Sequence, residues 1–163
     1  MKEIKLTQEK VALVDDEDFK YINQFKWHAE KRKKTYYAAR NVSIKKMHKK
    51  ILMHRLIMNT PEEMETDHWN KNGLDNQRHN LRICTHGQNG MNKHSIGMSK
   101  YIGVYYYFKI QKRGFCKYIK AQIQKDKKKI HLGNFKTEKS AAIAYNEAAI
   151  KYHKEFASLN KIE

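Results

Sequence analysis

The segment "TEKSAAIAYNEAAIKYHKEF", residues 137–156, narrows what this chain can fold into more than any other. Ala141, Ala142, Ala144, Tyr145, Ala148, Ala149 and Tyr152 recur at helical spacing and form one apolar stripe. Thr137 suits the N-cap. A stripe made mostly of alanine lets a helix lie close to a sheet, and the preceding residues read as that sheet. "YIGVYYYF", from residue 101, is rich in β-formers. In "FCKYIKAQIQ", Ile119, Ala121 and Ile123 alternate with Lys120, Gln122 and Gln124, the period of a half-buried strand. "KKIHLGNF" follows a charged turn and completes three strands. Residues 101–160 are therefore expected to form a three-stranded antiparallel sheet packed on one helix.

The chain before this point reads differently. "KHSIGMSK", residues 93–100, lacks periodicity and is expected to be a linker. Residues 1–14 alternate weakly and suggest two short strands. "DDEDFKYINQF" suggests a short helix capped by Asp15 or Asp16, with acids in its first turn. "KWHAEKRKKTYYAARNV" suggests a hairpin turning at "KRKK". "ILMHRLIM" spaces Met53, Leu56 and Ile57 as a short helix, with Pro61 expected to end it. The fold class is α+β, with residues 1–92 as one region (its core 52–92), the linker, and residues 101–160 as a second domain.

Charge sets the class of partner. The 163 residues carry 34 Lys+Arg against 17 Asp+Glu, a formal charge of +17. Residues 31–55 hold ten Lys or Arg and no acid; residues 93–130 hold eleven and one acid, Asp126. Such concentration predicts a polyanionic partner, nucleic acid first. No apolar run of bilayer length is present, and "MKEIKLTQEK" has no secretory core, so neither a membrane nor secretion is expected. Cys84 and Cys116 make no disulfide framework, and a reducing cytoplasm is expected.

The chemistry concentrates in "DHWNKNGLDNQRHNLRIC", residues 67–84, continuing into "THGQN". Cutting a DNA phosphodiester needs a base for water, a group that orients the base, and a divalent cation at the phosphate. A neutral imidazole suits the first. One Asp and one Asn oxygen suffice for Mg²⁺, which keeps several waters. The sequence supplies Asp67-His68, then Asn80 twelve positions after the histidine, then Asn89 nine further on. Taken singly, His68 could be a satisfied core histidine, Asn80 a turn residue and Asn89 a helix cap; coincidence of all of these with the spacing is improbable.

These residues, with "MHRL" at 53–56 upstream, resemble the HNH endonucleases, more closely the phage and intron-type homing branch. The resemblance implies a strand pair and helix (the ββα-metal, His-Me finger module) around one divalent metal, Mg²⁺ or Mn²⁺. Carried over by position, Asp67 and Asn89 would be metal ligands, His68 the general base, and Asn80 its orienting partner. "NLRIC" would be the second strand, with Leu81 and Ile83 inward, and "HGQNGMNK" would open the helix. Arg55, from the His54-Arg55 pair, and Arg82 are candidate DNA contacts. His79 and His86 are expected to be exposed rather than catalytic. A zinc site built on Cys84 and His86 lacks paired knuckles, so no zinc is expected. No small-molecule cofactor is expected either.

Residues 101–160 resemble the apetala/ethylene-response-factor DNA-binding domain through "YIGV", "YIKAQI", "KKIHLGNF" and "AAIAYNEAAIKYHKEFASLN". The resemblance implies that the sheet faces the major groove with the helix behind it. On the polar sheet face stand Tyr105, Tyr107, Lys120, Gln122, Gln124, Lys129 and His131, side chains suited to phosphates and base edges. Plant members carry Arg and Trp at several such positions; here Tyr105, Tyr107, Ile119 and His131 stand instead, so base preference does not transfer. "KRKK" and "IKKMHKK" are expected to contact phosphates. Together these features imply a monomeric, phage-like homing endonuclease acting on double-stranded DNA in a bacterial cytoplasm. The rival readings are a non-catalytic DNA-binding regulator on a decayed nuclease fold and an RNA-binding protein, for which only "VYYYF" offers stacking residues.

Overall fold

A computed structural model describes residues 1–32, 35–44, 47–92, 99–111 and 114–162. These divide into two compact units, Met1–Asn89 and Gly90–Glu163. The second half of the expected "KRKK" turn, part of "IKKMHKK" and residues 93–98 of the expected linker lie outside the described residues.

In the first unit, β1 (Lys2–Lys5) pairs antiparallel with β2 (Val11–Val14). Helix α1 (Asp16–Ile22) follows, with Asp15 at its N-cap position. The Asp15 carboxylate makes no cap bond; it accepts from the Arg78 backbone N–H at 2.7 Å and from Gln77 Nε2 at 3.1 Å instead. β3 (His28–Arg32), β4 (Thr35–Ile44) and β5 (Met47–Leu52) form a meander ordered β3-β4-β5. The third strand was not expected: "MHKKIL" carries four exposed residues before Ile51 and Leu52, and only pairing with β4 makes it a strand. Helix α2 (Met53–Ile57) is thus shorter than the "ILMHRLIM" pattern. It ends well before Pro61, and Asn59 leaves the helix in the left-handed region, φ 45°.

β6 (Glu65–His68) pairs antiparallel with β7 (Leu81–Cys84), and the short helix α3 (His86–Asn89) follows. This is a strand pair followed by a helix. Leu81 joins the core of Ile4, Ala12, Val14, Ile22, Trp27, Ala38, Met53 and Ile57, so the apolar side chains of β1, β2, α1 and α2 back the strand pair. Ile83, expected inward with Leu81, is 37% exposed, whereas Cys84 after it at the end of the strand is buried.

The second unit has β8 (Val104–Gln111), β9 (Gly114–Lys125) and β10 (Lys128–Phe135) in the order β10-β9-β8, then α4 (Glu138–His153). Thr137 caps α4 by accepting from the Ser140 N–H at 3.1 Å. Ala141, Ala142, Tyr145, Ala148 and Ala149 are buried against Val104, Ala121 and Ile123. The close approach has a limit at Gly103, φ 75°, where a Cβ would strike the Tyr145 ring. The helix stops at His153, three residues before the expected end. Lys154 turns left-handed there, φ 49°, and His153 Nε2 pairs with the Gln124 carbonyl at 2.8 Å. Asn160 then ties the tail to Ile102 and Asn146 through four hydrogen bonds.

Candidate active site

The loop between β6 and β7 is built by its own side-chain amides. Asn80 Oδ1 accepts from the Asn70 N–H at 2.9 Å, while its Nδ2 donates to Asn70 Oδ1 at 3.0 Å and to the Asp75 carbonyl at 2.9 Å. Asn70 Nδ2 donates to Asp75 Oδ2 at 2.7 Å. The N-terminal hairpin grips the same loop: Leu13 donates to the Leu74 carbonyl and Asn76 donates to the Leu13 carbonyl, each at 2.8 Å. Arg78, bonded to Asp18 by Nε and Nη2, fastens it to α1. The acidic first turn of α1 thereby anchors the loop that follows His68.

His68, at the end of β6, is buried. Its ring centroid lies 4.8 Å from that of His54 on α2 and 5.6 Å from that of Tyr37 on β4; Tyr37 and His54 are 5.4 Å apart. Gly73 is required beside them, because a Cβ there would lie 2.5 Å from the Tyr36 carbonyl oxygen and 2.7 Å from the Tyr37 ring. Asn76 is fully buried, and its Nδ2 donates to the Leu74 carbonyl at 3.1 Å, which orients the amide. Asn76 Oδ1 therefore accepts from His68 Nε2 at 3.4 Å, placing the proton on Nε2 and the lone pair on Nδ1. Burial lowers the pKa of His68 below its ordinary value, against the Asn76 bond and the Asp67 and Asp75 carboxylates, which raise it. The ring is neutral at neutral pH, the state that can accept a proton. Burial, with help from His68 and Arg55, pulls His54 down to about 3. Among the described residues His54 Nδ1 has no hydrogen-bond partner.

Asp67 neighbours His68 on β6 and faces Arg82 across the strand pair. Arg82 Nη2 and Nε reach Asp67 Oδ2 at 2.7 and 3.0 Å. Two residues earlier, and so on the same strand face, Glu65 accepts from Asn89 Nδ2 at 2.6 Å. A carboxylate only accepts, so this bond fixes which end of the Asn89 carboxamide is nitrogen and turns Oδ1 the other way. Glu65 Oε1 lies 2.7 Å from His86 Nδ1, and that bond chiefly holds the Glu65 carboxyl below its usual range. Among the described residues no three His, Cys, Asp or Glu side chains gather as a metal cluster. The candidate donor set is instead one carboxylate and one carboxamide, hard oxygens suited to Mg²⁺. Cys84 is buried on β7 and its thiol is pushed up to about 11, chiefly by that burial.

The other expected residues fall as follows. Asn80 braces the loop, and the amide that meets the His68 ring is that of Asn76. Arg55 spends its guanidinium on the carbonyls of Met64, Thr60 and Pro61, closing the turn between α2 and β6. His79 and His86 are exposed. In the second unit, register puts Tyr105 opposite Lys120, Lys120 opposite Asn134, Gln122 opposite His131 and Gln124 opposite Lys129. Tyr105, Tyr107, Lys120, Gln122, Gln124, Lys129 and His131 thus share the sheet face away from α4. Tyr118 and Asn134 belong to it too: the Tyr107 and Tyr118 rings stack at 5.1 Å, and the Tyr107 hydroxyl donates to Asn134 at 3.3 Å. Tyr37, Glu65 and Asn76 were missed as site residues. Of these only Asn76 left a signal, its place in "NGLDN".

The arrangement has a counterpart in sequence. The chain is similar to a protein described as an uncharacterized HNH endonuclease of Acanthamoeba polyphaga mimivirus, 28% identical over 151 residues that span 89% of this chain and 76% of the relative. No family model and no solved structure matches the chain.

Proposed function

We propose that this chain is a metal-dependent HNH-type DNA endonuclease in which the first unit cuts and the second holds the duplex. One observation carries the reading: a buried imidazole at the end of a strand, one ring nitrogen meeting an amide oxygen, beside an aspartate and ahead of a helix bearing an asparagine. The relative described as an HNH endonuclease supports it. Asp67 and Asn89 would hold Mg²⁺ or Mn²⁺, which would neutralise charge on the phosphate and the departing 3′ oxygen. His68 Nδ1 takes a proton from water. The hydroxide attacks phosphorus, and the bond to the 3′ oxygen breaks. Asn76 keeps the ring's other nitrogen protonated, and Glu65 keeps the Asn89 amide turned.

The polar sheet face of the second unit would lie along the major groove, in the manner of the apetala/ethylene-response-factor domains it resembles. Its lysines would meet phosphates, and Gln122, Gln124 and His131 would meet base edges. We further propose a homing-type role for a monomer in a virus-infected cell. No helix among the described residues is long and apolar enough to cross a membrane.

The test is cleavage of supercoiled plasmid with Mg²⁺ or Mn²⁺, with EDTA as control and His68→Ala alongside. Nicked or linear DNA that needs the metal is expected, with the variant slower by about 10²- to 10⁴-fold and binding unchanged. Full cleavage by His68→Ala, or binding by wild type without cleavage, would overturn the assignment.

A further inference from the structure

The two tryptophans of the chain live in opposite surroundings. Trp27 is 5% exposed in the core and donates Nε1–H to the Ile22 carbonyl at 2.9 Å. Trp69 follows His68 directly and is 63% exposed. Trp is among the most buried residue types on average, so a ring held this far into solvent gives up most of its hydrophobic stabilisation. The backbone holds it there, because the Trp69 N–H donates to the Asn80 carbonyl at 2.9 Å and so belongs to the braced loop. The ring lies 5.6 Å from the Arg82 guanidinium, and Arg82 is the residue paired with Asp67. Aromatic ring, guanidinium and carboxylate therefore stand together beside the candidate base.

We propose that Trp69 is a nucleic-acid contact that stacks on a base or sugar next to the phosphate being cut. This rests on the nuclease reading above, which puts that phosphate at Asp67. A strand whose phosphate sits there runs past the ring, and the strongly positive chain draws it in. Exposed aromatic rings are the usual stacking platforms where bases are unpaired, and apolar side chains enter a duplex by wedging between base steps; an indole presents the largest face. Arg82 beside it supplies the charge that a stacked nucleotide's own phosphate would meet.

Acrylamide quenching of tryptophan emission tests this, because the quencher reaches Trp69 and scarcely reaches Trp27. In EDTA, a saturating mixed-sequence duplex oligonucleotide should lower the quenching of wild type to that of Trp69→Phe, which reports Trp27 alone. Trp69→Ala should bind the duplex about 10-fold more weakly, as for loss of one stacked base, and Trp69→Phe should bind nearly as wild type does. Unchanged quenching at saturation, or an Ala variant that binds as tightly as wild type, overturns the contact. Both readings are taken without metal. A protected Trp69 in a protein that never cuts would thus sink the nuclease assignment and keep the contact, while cleavage with Trp69 unprotected would do the reverse.

Discussion

The two units handle polar side chains in opposite ways. In Met1–Asn89, His54, Thr66, Asp67, His68, Asp75, Asn76 and Asn80 are all buried, crowded around one strand pair and its loop. Among the described residues of Gly90–Glu163 the buried polar ones are Ser99, His153 and Ser158, and the core joins the alanines and Tyr145 of α4 to Tyr101, Val104, Ala121 and Ile123. That unit turns its polar residues outward on one sheet face. Burying a polar group costs stability unless every partner is supplied. The first unit meets most of this demand with amide-to-backbone bonds and clamps from β2 and α1, His54 Nδ1 being an exception among the described residues. The second unit leaves lysines, glutamines and tyrosines half-buried or exposed on one sheet face.

Substitutions can break this contrast. The largest stability effect is expected for Asn80→Ala, which strands the Asn70 N–H and the Asp75 carbonyl together. A loss of about 2 kcal/mol in chemical denaturation, with the loop after His68 released, follows from one buried carbonyl and one part-buried N–H left without their partner. Next comes Gly73→Ala, which forces Tyr37 away from the two histidines. Overpacking of this kind costs about 1–3 kcal/mol and should slow cleavage as well, measured by denaturation and plasmid nicking.

Acid should divide the units. His54 is held to about 3 by burial, whereas the unfolded chain takes up its proton near 6.5. The unfolded state therefore binds more protons between these values. The stability from keeping His54 neutral is complete above about pH 6.5 and is lost as pH falls toward 3, by about 1.4 kcal/mol per pH unit. His68 shifts in the same direction. Hydrogen exchange at pH 7 and pH 5, corrected for intrinsic rates, should show protection lost in Met1–Asn89 more than in Gly90–Glu163. Equal losses would break the contrast. The smallest stability change is expected on the sheet face: Lys120→Ala and Gln122→Ala should stay within about 0.5 kcal/mol of wild type while weakening DNA binding.

Much of this contrast can be read from residue order. The alanine stripe, its Thr137 cap and the alternation through 119–124 describe a helix on a sheet because both periods are local. The intervals from Asp67-His68 to Asn80 and Asn89 mark a strand, a loop, a second strand and a helix for the same reason. Other features escaped. "MHKKIL" becomes a strand only because β4 offers an edge. Arg55 looks like a phosphate ligand until the turn at Thr60–Met64 folds its carbonyls over it. Leu81 and Ile83 have the same character in sequence, yet only Leu81 finds a core.

Residue order alone carried most of the elements, the shared sheet face and the residue types at the candidate site, since each depends on spacing along the chain. Tertiary structure alone decided the company those residues keep. Tyr37 and His54 arrive at His68 from different strand and helix segments, Asn76 sets its tautomer, and Glu65 turns Asn89. Trp69 is left in solvent beside Arg82. Such pairings depend on which buried groups find partners across the fold, a condition that acts through space rather than along the chain.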